Sequence, residues 1–282
     1  MSQIDLHVHS TASDGRFSPA EIVHQSVEGG LTIMALSDHD TVDGITPALE
    51  AAQAFPRLKV IPAVEINTDA PSGEAHILGY FIDYTNRELL SALESLRHSR
   101  RERAQKMIAK LRNMGIYIDW QRVQEIAGSG AIGRPHLAQA LLEKGYINSL
   151  REAFTRYISR GCPAYVEREK ITPVEAVELI LQADGLPVLA HPLTIDNLET
   201  MIVQLKAAGL VGLEAYYGNY TVDEINRLVG LADKYNLITT GGSDYHGLDA
   251  STETMIGGVD VPVESTERLI ALAEQRRLKL AL

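Results

Sequence analysis

Two histidines near the start of the chain, His7 and His9, alternate with the apolar residues Leu6 and Val8. An alternation with a period of two predicts a β-strand and places both imidazoles on the same face. Imidazole nitrogen is a common metal ligand, and Asp14 adds a carboxylate oxygen a few residues further along. The segment therefore predicts one side of a metal site, although a pair of this kind on a strand is also found as an ordinary surface feature.

Further histidines lie beside carboxylates at the ends of strand-like runs. Asp38-His39-Asp40 follows the apolar run 31–36, Glu65 ends the run 59–65, and His191 follows the run 187–190. The nine candidate ligands are His7, His9, Asp14, His39, Glu65, His76, His191, Asp244 and His246. A site for one ion needs three or four ligands. Nine predict two or three ions with a bridging carboxylate, an arrangement used in phosphoryl hydrolysis.

The composition is that of an ordinary globular protein: 282 residues, 45% hydrophobic and 22% charged, enough for one large α/β domain with or without an insertion. No apolar run has the length of a membrane span, and the start lacks a secretory signal. The single cysteine, Cys162, cannot form an internal disulfide. We therefore expect a cytoplasmic protein without a membrane partner.

The formal net charge of −11 argues against a broad grip on duplex nucleic acid, which requires a basic surface. It leaves a phosphorylated substrate possible, because bound divalent cations reverse the local field.

The remaining pattern alternates strands and helices. Ser18-Pro19-Ala20-Glu21 and Thr172-Pro173-Val174-Glu175 are typical capped helix starts. Strands are predicted at 4–8, 31–36, 59–65, 76–81, 187–190, 211–215 and 238–242, with helices near 43–54, 195–208, 222–235 and 265–275. Seven strand–helix units, mostly parallel, predict an α/β barrel with its working residues at the carboxyl ends of the strands.

The alternation of strands and helices is interrupted between the fourth and fifth predicted strands. Residues 86–127 read as long, highly charged helix, and further helices are predicted at 135–144 and 149–159. We interpret 98–165 as a helical insertion that forms a substrate cap, carried on a barrel made of 1–97 and 166–282.

The ordered set of histidines and carboxylates resembles the PHP (polymerase and histidinol phosphatase) family of metal-dependent phosphoesterases. The resemblance covers nearly the whole chain, with Ala63 where relatives often have glycine. It implies a distorted (β/α)7 TIM-like barrel and two or three divalent ions, with Mn expected first and Zn or Fe also compatible. It assigns one ion to His7, His9, Glu65 and Asp244, a second to Glu65, His76 and His191, and a third to Asp14, His39 and His246.

The same resemblance implies catalytic roles. Glu65, Asp244 and His191 are the expected catalytic residues, and the proton for the leaving oxygen is left open between Asp244 and a metal-held histidine. Asp38 and Asp40 are expected to orient His39 rather than to bind metal.

Two arginine motifs narrow the resemblance to one branch of the family. Arg100 and Arg103, followed by Arg134 and His136, resemble the nucleoside 3′,5′-bisphosphate phosphatases, which are related to a 5′→3′ exoribonuclease. Arg100 and Arg103 share a helix face, and Arg101 beside Arg100 can also bind phosphate. The alternatives are a solvated helix face for the arginines and a helix-start cap or buried polar group for His136.

The expected function is removal of the 3′-phosphate from nucleoside 3′,5′-bisphosphates, with hydroxide held by the ions as nucleophile. Arg100, Arg101, Arg103, Arg134 and His136 would hold the second phosphate. The alternatives are a 5′→3′ exoribonuclease acting on short RNA, a histidinol phosphate phosphatase, and a non-catalytic module, which usually lacks ligands. The partner is thus a nucleotide or a short oligoribonucleotide, and the oligomeric state is not predicted.

Overall fold

The fold is a nearly closed barrel of seven strands, as predicted. The structure is a computed structural model that describes residues 3–70, 73–128, 130–167, 171–248 and 253–280. Each strand pairs with the next in chain order. The first and last strands meet where Asp244 N donates to His7 O (2.9 Å) and His9 N donates to Tyr245 O (3.0 Å). The strands are β1 Ile4–Val8, β2 Ile33–Leu36, β3 Lys59–Ala70, β4 Gly73–Tyr80, β5 Leu186–Leu189, β6 Gly212–Tyr217 and β7 Ile238–Gly242.

Strand β4 departs from the parallel pattern. It pairs antiparallel with both β3 and β5, and Asn67 of β3 lies opposite His76 of β4. No helix was predicted between these two strands, and β3 extends five residues beyond its predicted end at Glu65 to form the hairpin. Because β4 runs in the opposite direction, its beginning lies at the edge where the parallel strands end. His76 therefore reaches that edge from the start of a strand.

The helices begin where the capping residues predict. Ser18 and Glu21 form a reciprocal capping box at the first helix, and Thr172 and Glu175 form another further along. No helix in the described part of the chain is long and apolar enough to cross a membrane. The α-helices are α1 Pro19–Glu28, α2 Ile45–Ala52, α3 Arg87–Asn113, α4 Trp120–Ala127, α5 Arg134–Glu143, α6 Leu150–Ala153, α7 Pro173–Gln182, α8 Leu198–Ala208, α9 Val222–Lys234 and α10 Val263–Leu280.

Helix α3 joins two separate hydrophobic clusters. Its first half packs Leu89 and Leu93 against the barrel and its outer helices, whereas Met107 and Leu111 pack into a second cluster formed by α3–α6. The predicted continuous helix over 86–127 is wrong, because α3 ends at Asn113 and α4 follows after a break. The division of the chain at 97 and 166 stays a prediction, and this change of packing partners along α3 supports it.

Candidate metal centre

All nine candidate ligands gather at one end of the barrel. β1, β3 and β4 carry one ligand each, and the others lie on the segments that follow β1, β2, β5 and β7. Each of these residues is buried or half-buried. The cluster consists of His7, His9, Asp14, His39, Glu65, His76, His191, Asp244 and His246.

Glu65 lies at the centre of the cluster and is fully buried. Its Oε1 is 2.7 Å from His76 Nδ1 and 2.9 Å from His191 Nε2. Its Oε2 is 3.2 Å from His7 Nε2 and 3.0 Å from His39 Nδ1. The two carboxylate oxygens thus face different sets of imidazoles, which is the arrangement that a bridging ligand needs.

The ligand atoms form three overlapping groups, and within each group all of them lie within 4.8 Å of one another. The first group is the set that the family resemblance assigned to one ion. The second group contains the expected ligands Asp14, His39 and His246 together with His9. The third group contains Glu65 and His76 as expected, but has His39 in the place of His191. The groups are His7, His9, Glu65 and Asp244; His9, Asp14, His39 and His246; and His39, Glu65 and His76.

Several ligand atoms of the cluster are buried without a hydrogen-bond partner among the described residues. Both ring nitrogens of His9, Oδ1 of Asp14 and Oδ1 of Asp244 are buried and make no hydrogen bond to any residue that the structure describes. A buried polar atom without a partner costs free energy. A cation would supply that partner, and a mixture of imidazole and carboxylate suits Zn, Mn or Fe. The residues therefore fit divalent metal ions.

The charges of the cluster favour ionised carboxylates. Burial alone would raise the pKa of Glu65, but His39, His7 and His76 outweigh it and hold that pKa well below its usual range. Burial likewise opposes protonation of His246, yet Asp14 raises the pKa of that histidine to about 10. The carboxylates are thus in the acceptor-only form that a metal ion requires at neutral pH.

Backbone turns at the strand ends aim the ligands. His191 and Asp244 have φ of +25° and +55°, in the left-handed region that non-glycine residues rarely adopt. Such conformations persist at sites where the surrounding structure holds them. Gly242 precedes the second turn, and a Cβ there would lie 2.5 Å from His7 N. Only glycine lets β7 approach β1 this closely.

The predicted role of Asp38 in orienting His39 needs correction. Asp38 accepts hydrogen bonds from Ser10 N (2.8 Å) and Ser13 Oγ (2.6 Å), so it fixes the loop that leads to the second metal group. The hydrogen-bond partner of His39 Nδ1 is instead Asn67 Nδ2 at 2.8 Å.

Three of the predicted phosphate-binding arginines line one small cavity in the helical region. Arg100 is buried, and its Nε donates to Asp40 Oδ2 (2.6 Å). Asp40 therefore positions Arg100, whereas the sequence predicts that it orients His39. Arg103, also buried, lies one turn further along α3. Arg134 Nη2 donates to Glu74 Oε2 (2.6 Å). The solvated-face alternative is therefore wrong for Arg100 and Arg103.

The structure separates Arg101 and His136 from that cavity. Arg101 is exposed and lines a different cavity together with Arg97. His136 is buried, and its Nδ1 accepts a hydrogen bond from Gly133 N (2.9 Å), so it is a helix-start cap as the alternative proposed. It also lines a larger cavity, of about 350 Å³, that borders Asp14.

Two residues of β6 belong to the site and were missed in the sequence. Glu214 is fully buried and its Oε1 lies 2.9 Å from His7 Nδ1. Tyr217 Oη donates to Asp244 Oδ2 (2.8 Å). The signal that points to Glu214 is an acidic residue inside an otherwise apolar strand, because a carboxylate is buried only when it has partners.

Comparison with known proteins agrees with this geometry. Residues 5–184 match the PHP domain, and three further ligands of the cluster lie beyond that segment. The 3′,5′-nucleoside bisphosphate phosphatase of Chromobacterium violaceum is 32% identical over 256 residues, covering 87% of this chain and 88% of that protein. The 5′-3′ exoribonuclease of Haemophilus influenzae is 35% identical over 246 residues, covering 86% and 89%.

A solved structure agrees over nearly the whole length. An amidohydrolase from Chromobacterium violaceum, described with bound sulfate and no metal, superposes with a TM-score of 0.88 at 30% identity and covers 96% of each chain. The matched domain, the curated relatives and the barrel with its histidine and carboxylate cluster lead to one conclusion: the chain belongs to the PHP family of metal-dependent phosphoesterases.

Proposed function

We propose that the protein removes the 3′-phosphate from nucleoside 3′,5′-bisphosphates and releases nucleoside 5′-monophosphates. The observation that carries the proposal is a second candidate anion-binding site beside the metal centre. It is formed by Arg100, Arg103 and Arg134. Metal ions bind only the phosphate that reacts, so a substrate with two phosphates requires a separate group of cationic side chains. The space between these arginines is about 10 Å³, so their side chains must move apart to admit a phosphate.

The metal centre and the arginine cavity lie on either side of Gly133. A Cβ at this position would lie 3.3 Å from Asp14 Oδ2 and 3.6 Å from Arg100 Nη1. A candidate metal ligand and a candidate phosphate ligand thus flank the same short segment at the start of α5. This closeness supports a small substrate that spans both sites.

The arginines are held in place before a substrate arrives. Asp40 holds Arg100 and Glu74 holds Arg134, and both carboxylates belong to the barrel region. Arg100 Nη2 is buried and makes no hydrogen bond to a described residue, so this donor is available to a phosphate oxygen. Preorganised charged donors bind phosphate with little loss of side-chain freedom.

Ions bound at the centre would supply Lewis acidity and an activated water molecule. The residues of the chain hold and orient what reacts. Burial would raise the pKa of Asp244, but the positive charges of His7, His246 and His9 hold it well below its usual range. Asp244 is therefore a carboxylate at neutral pH, which supports its role as a ligand over that of proton donor.

The cavity of about 350 Å³ offers room for the nucleoside. It lies between the loop after β1 and the inserted helices, with Asp14 and His136 beside the metal centre. Ile126 and Leu150 contribute apolar surface, and Gln139 contributes an amide that can bind the edge of a base. Its volume is within the range of ordinary small-molecule sites.

The second candidate is a 5′→3′ exoribonuclease that acts on short RNA. The same cavity supports it, because an RNA chain continues from the reacting phosphate and needs space there. The reaction at phosphorus is the same in both cases, with the 3′ oxygen of the first nucleotide as leaving group. The two functions differ only in what else is esterified to that phosphate.

A substrate panel tests the proposal. Phosphate or nucleotide release is measured from adenosine 3′,5′-bisphosphate, 3′-AMP, 5′-AMP, histidinol phosphate, p-nitrophenyl phosphate and a 5′-phosphorylated tetraribonucleotide, with metal content determined on the same sample. We expect the highest kcat/KM for the bisphosphate, loss of all activity in chelator, and recovery with Mn²⁺. A higher kcat/KM for the tetraribonucleotide would favour the exoribonuclease, and a preference for histidinol phosphate or 5′-AMP would contradict both.

A further inference from the structure

Strand β6 carries none of the nine candidate ligands, although every other strand of the barrel either carries one or precedes one. It lies between β5 and β7, which are followed by His191 and Asp244. Its own buried polar residue, Glu214, points to the same end of the barrel as the metal centre, because it contacts the ring of His7. The polar residue of β6 therefore contacts a candidate metal ligand, although it is not itself one of the nine.

Glu214 bonds two ligand residues at once. Its Oε1 lies 2.9 Å from His7 Nδ1, and its Oε2 accepts a hydrogen bond of 2.6 Å from the backbone N–H of His191. The side chains of Glu214 and His7 are fully buried, so water does not compete for these bonds. One carboxylate thus links β6 to ligands carried by β1 and by the turn after β5.

This contact decides which nitrogen of His7 is free. A carboxylate only accepts hydrogen bonds, so the proton must be on His7 Nδ1. In the neutral ring that metal binding requires, the other nitrogen, Nε2, carries the lone pair and lies 3.2 Å from Glu65 Oε2 and 3.2 Å from Asp244 Oδ1. The lone pair is therefore directed at the other members of the first metal group.

The second contact acts on the backbone of His191. This residue has φ of +25°, and its Nε2 lies 2.9 Å from Glu65 Oε1. The hydrogen bond from His191 N to Glu214 stabilises the unusual turn that aims the ring. Glu214 consequently orients ligands on both sides of Glu65.

We infer that Glu214 is a positioning residue of the metal centre, which sets the tautomer of His7 and the backbone turn of His191 together. Glutamine has nearly the same shape but only one accepting oxygen. If that oxygen faces His191 N, the amide N–H₂ faces His7 Nδ1 and drives the proton to Nε2, where it blocks the metal. In the opposite orientation the amide N–H₂ faces the backbone N–H of His191, so two donors meet and that hydrogen bond is lost. Glu214→Gln therefore cannot keep both contacts.

The test measures Zn²⁺ binding directly. Loss of an outer partner of a metal-bound histidine typically lowers metal affinity by about 10- to 100-fold, so the Kd of Glu214→Gln for Zn²⁺ is expected to rise by that factor. Activity on p-nitrophenyl phosphate should be lost at low free metal and return as metal is raised. The matched control is Tyr80→Phe, which removes another fully buried hydrogen bond, from Tyr80 Oη to Leu6 O, that touches no ligand side chain.

Tyr80→Phe should lower the stability of the metal-free protein and leave the Kd for Zn²⁺ within about twofold of wild type. A Kd of Glu214→Gln within twofold of wild type, or a loss of affinity equal to that of Tyr80→Phe, overturns the inference. If Glu214→Gln does not fold, ¹⁵N-histidine NMR of the Zn²⁺-loaded wild type decides, since His7 must carry its proton on Nδ1. A deprotonated Nδ1 overturns the inference. It rests on the proposed metal centre and not on the substrate, so Zn²⁺ binding tests it even if bisphosphates are not hydrolysed.

Discussion

The metal centre and the arginine cavity lie side by side but are built in different ways. The ligands of the metal centre come from strands or from the first residues after them, and most of them contact one buried carboxylate, Glu65. The arginines come from helices α3 and α5, and two of them, Arg100 and Arg134, form ion pairs with Asp40 and Glu74 of the barrel region. A hydrogen-bonded sheet sets the first arrangement, and packing between helices and barrel sets the second.

This difference separates the reaction from the choice of substrate. A change at the centre should affect every phosphate ester alike, because all of them present the same reacting group. A change in the arginine cavity should affect only substrates that carry a second phosphate. Four variants test this division.

The largest effect is expected at Glu65. Glu65→Ala removes the carboxylate that faces both sets of imidazoles, so kcat should fall by about 1000-fold or more on every substrate, equivalent to about 4 kcal/mol. Metal content per chain should fall as well, while circular dichroism stays that of the wild type. Glu178→Ala, on the exposed face of α7, serves as control. Turnover near that of the wild type would show that Glu65 bridges no ions.

Arg100→Ala should have the next largest effect, on stability. The variant breaks the buried ion pair between Arg100 and Asp40, and removing one partner of such a pair costs about 3–5 kcal/mol in free energy of unfolding. Urea unfolding of the metal-free protein measures this cost. Unfolding at the wild-type urea concentration would mean that the bond between Arg100 and Asp40 does not join α3 to the barrel.

Arg134→Ala sharpens the comparison between substrates. A charge-assisted hydrogen bond contributes about 1.5–3 kcal/mol, so kcat/KM for adenosine 3′,5′-bisphosphate should fall about ten- to a hundredfold. The value for p-nitrophenyl phosphate should change less than about twofold, because this ester has no second phosphate. Lys106→Ala on the exposed face of α3 is the control. Equal losses on both substrates would assign Arg134 to the metal centre or to the fold.

The smallest effect is expected for Arg101→Ala. Arg101 is exposed and lines a different cavity from Arg100, although the two are adjacent in the chain. Both the free energy of unfolding, within about 0.5 kcal/mol, and kcat/KM for the bisphosphate should be close to the wild-type values. A tenfold loss for the bisphosphate would restore Arg101 to the phosphate-binding set.

The strands and capped helices followed from local pattern alone, because alternation and capping residues act over a few positions. The predicted strand 238–242 coincides with β7, and the helix starts at Ser18 and Thr172 hold their capping boxes. The direction of β4 was not visible in this pattern. Apolar runs look alike in parallel and antiparallel pairs, and only the hairpin register of Asn67 and His76 reveals the direction.

The candidate ligands could be found because metal-binding side chains at strand ends are chemically distinctive. Glu214 could not be found in the same way, since its partners His7 and His191 are distant in the chain. The arginines show the same limit of local reasoning. Their spacing on α3 placed Arg100 and Arg103 on one face, but burial and the partner Asp40 depend on how the helix docks.

By itself, the sequence determined the family, the α/β class and the chemistry of the cluster, because residue types and short spacings encode these directly. Tertiary structure alone decided which oxygen of Glu65 faces which imidazole, how Asp40 and Glu74 hold the arginines, and that β6 supports ligands without supplying one. These features rest on contacts between residues that lie 11 to 207 positions apart in the chain. No local pattern specifies such contacts, since closing the barrel and docking the helices are collective results of packing the whole chain.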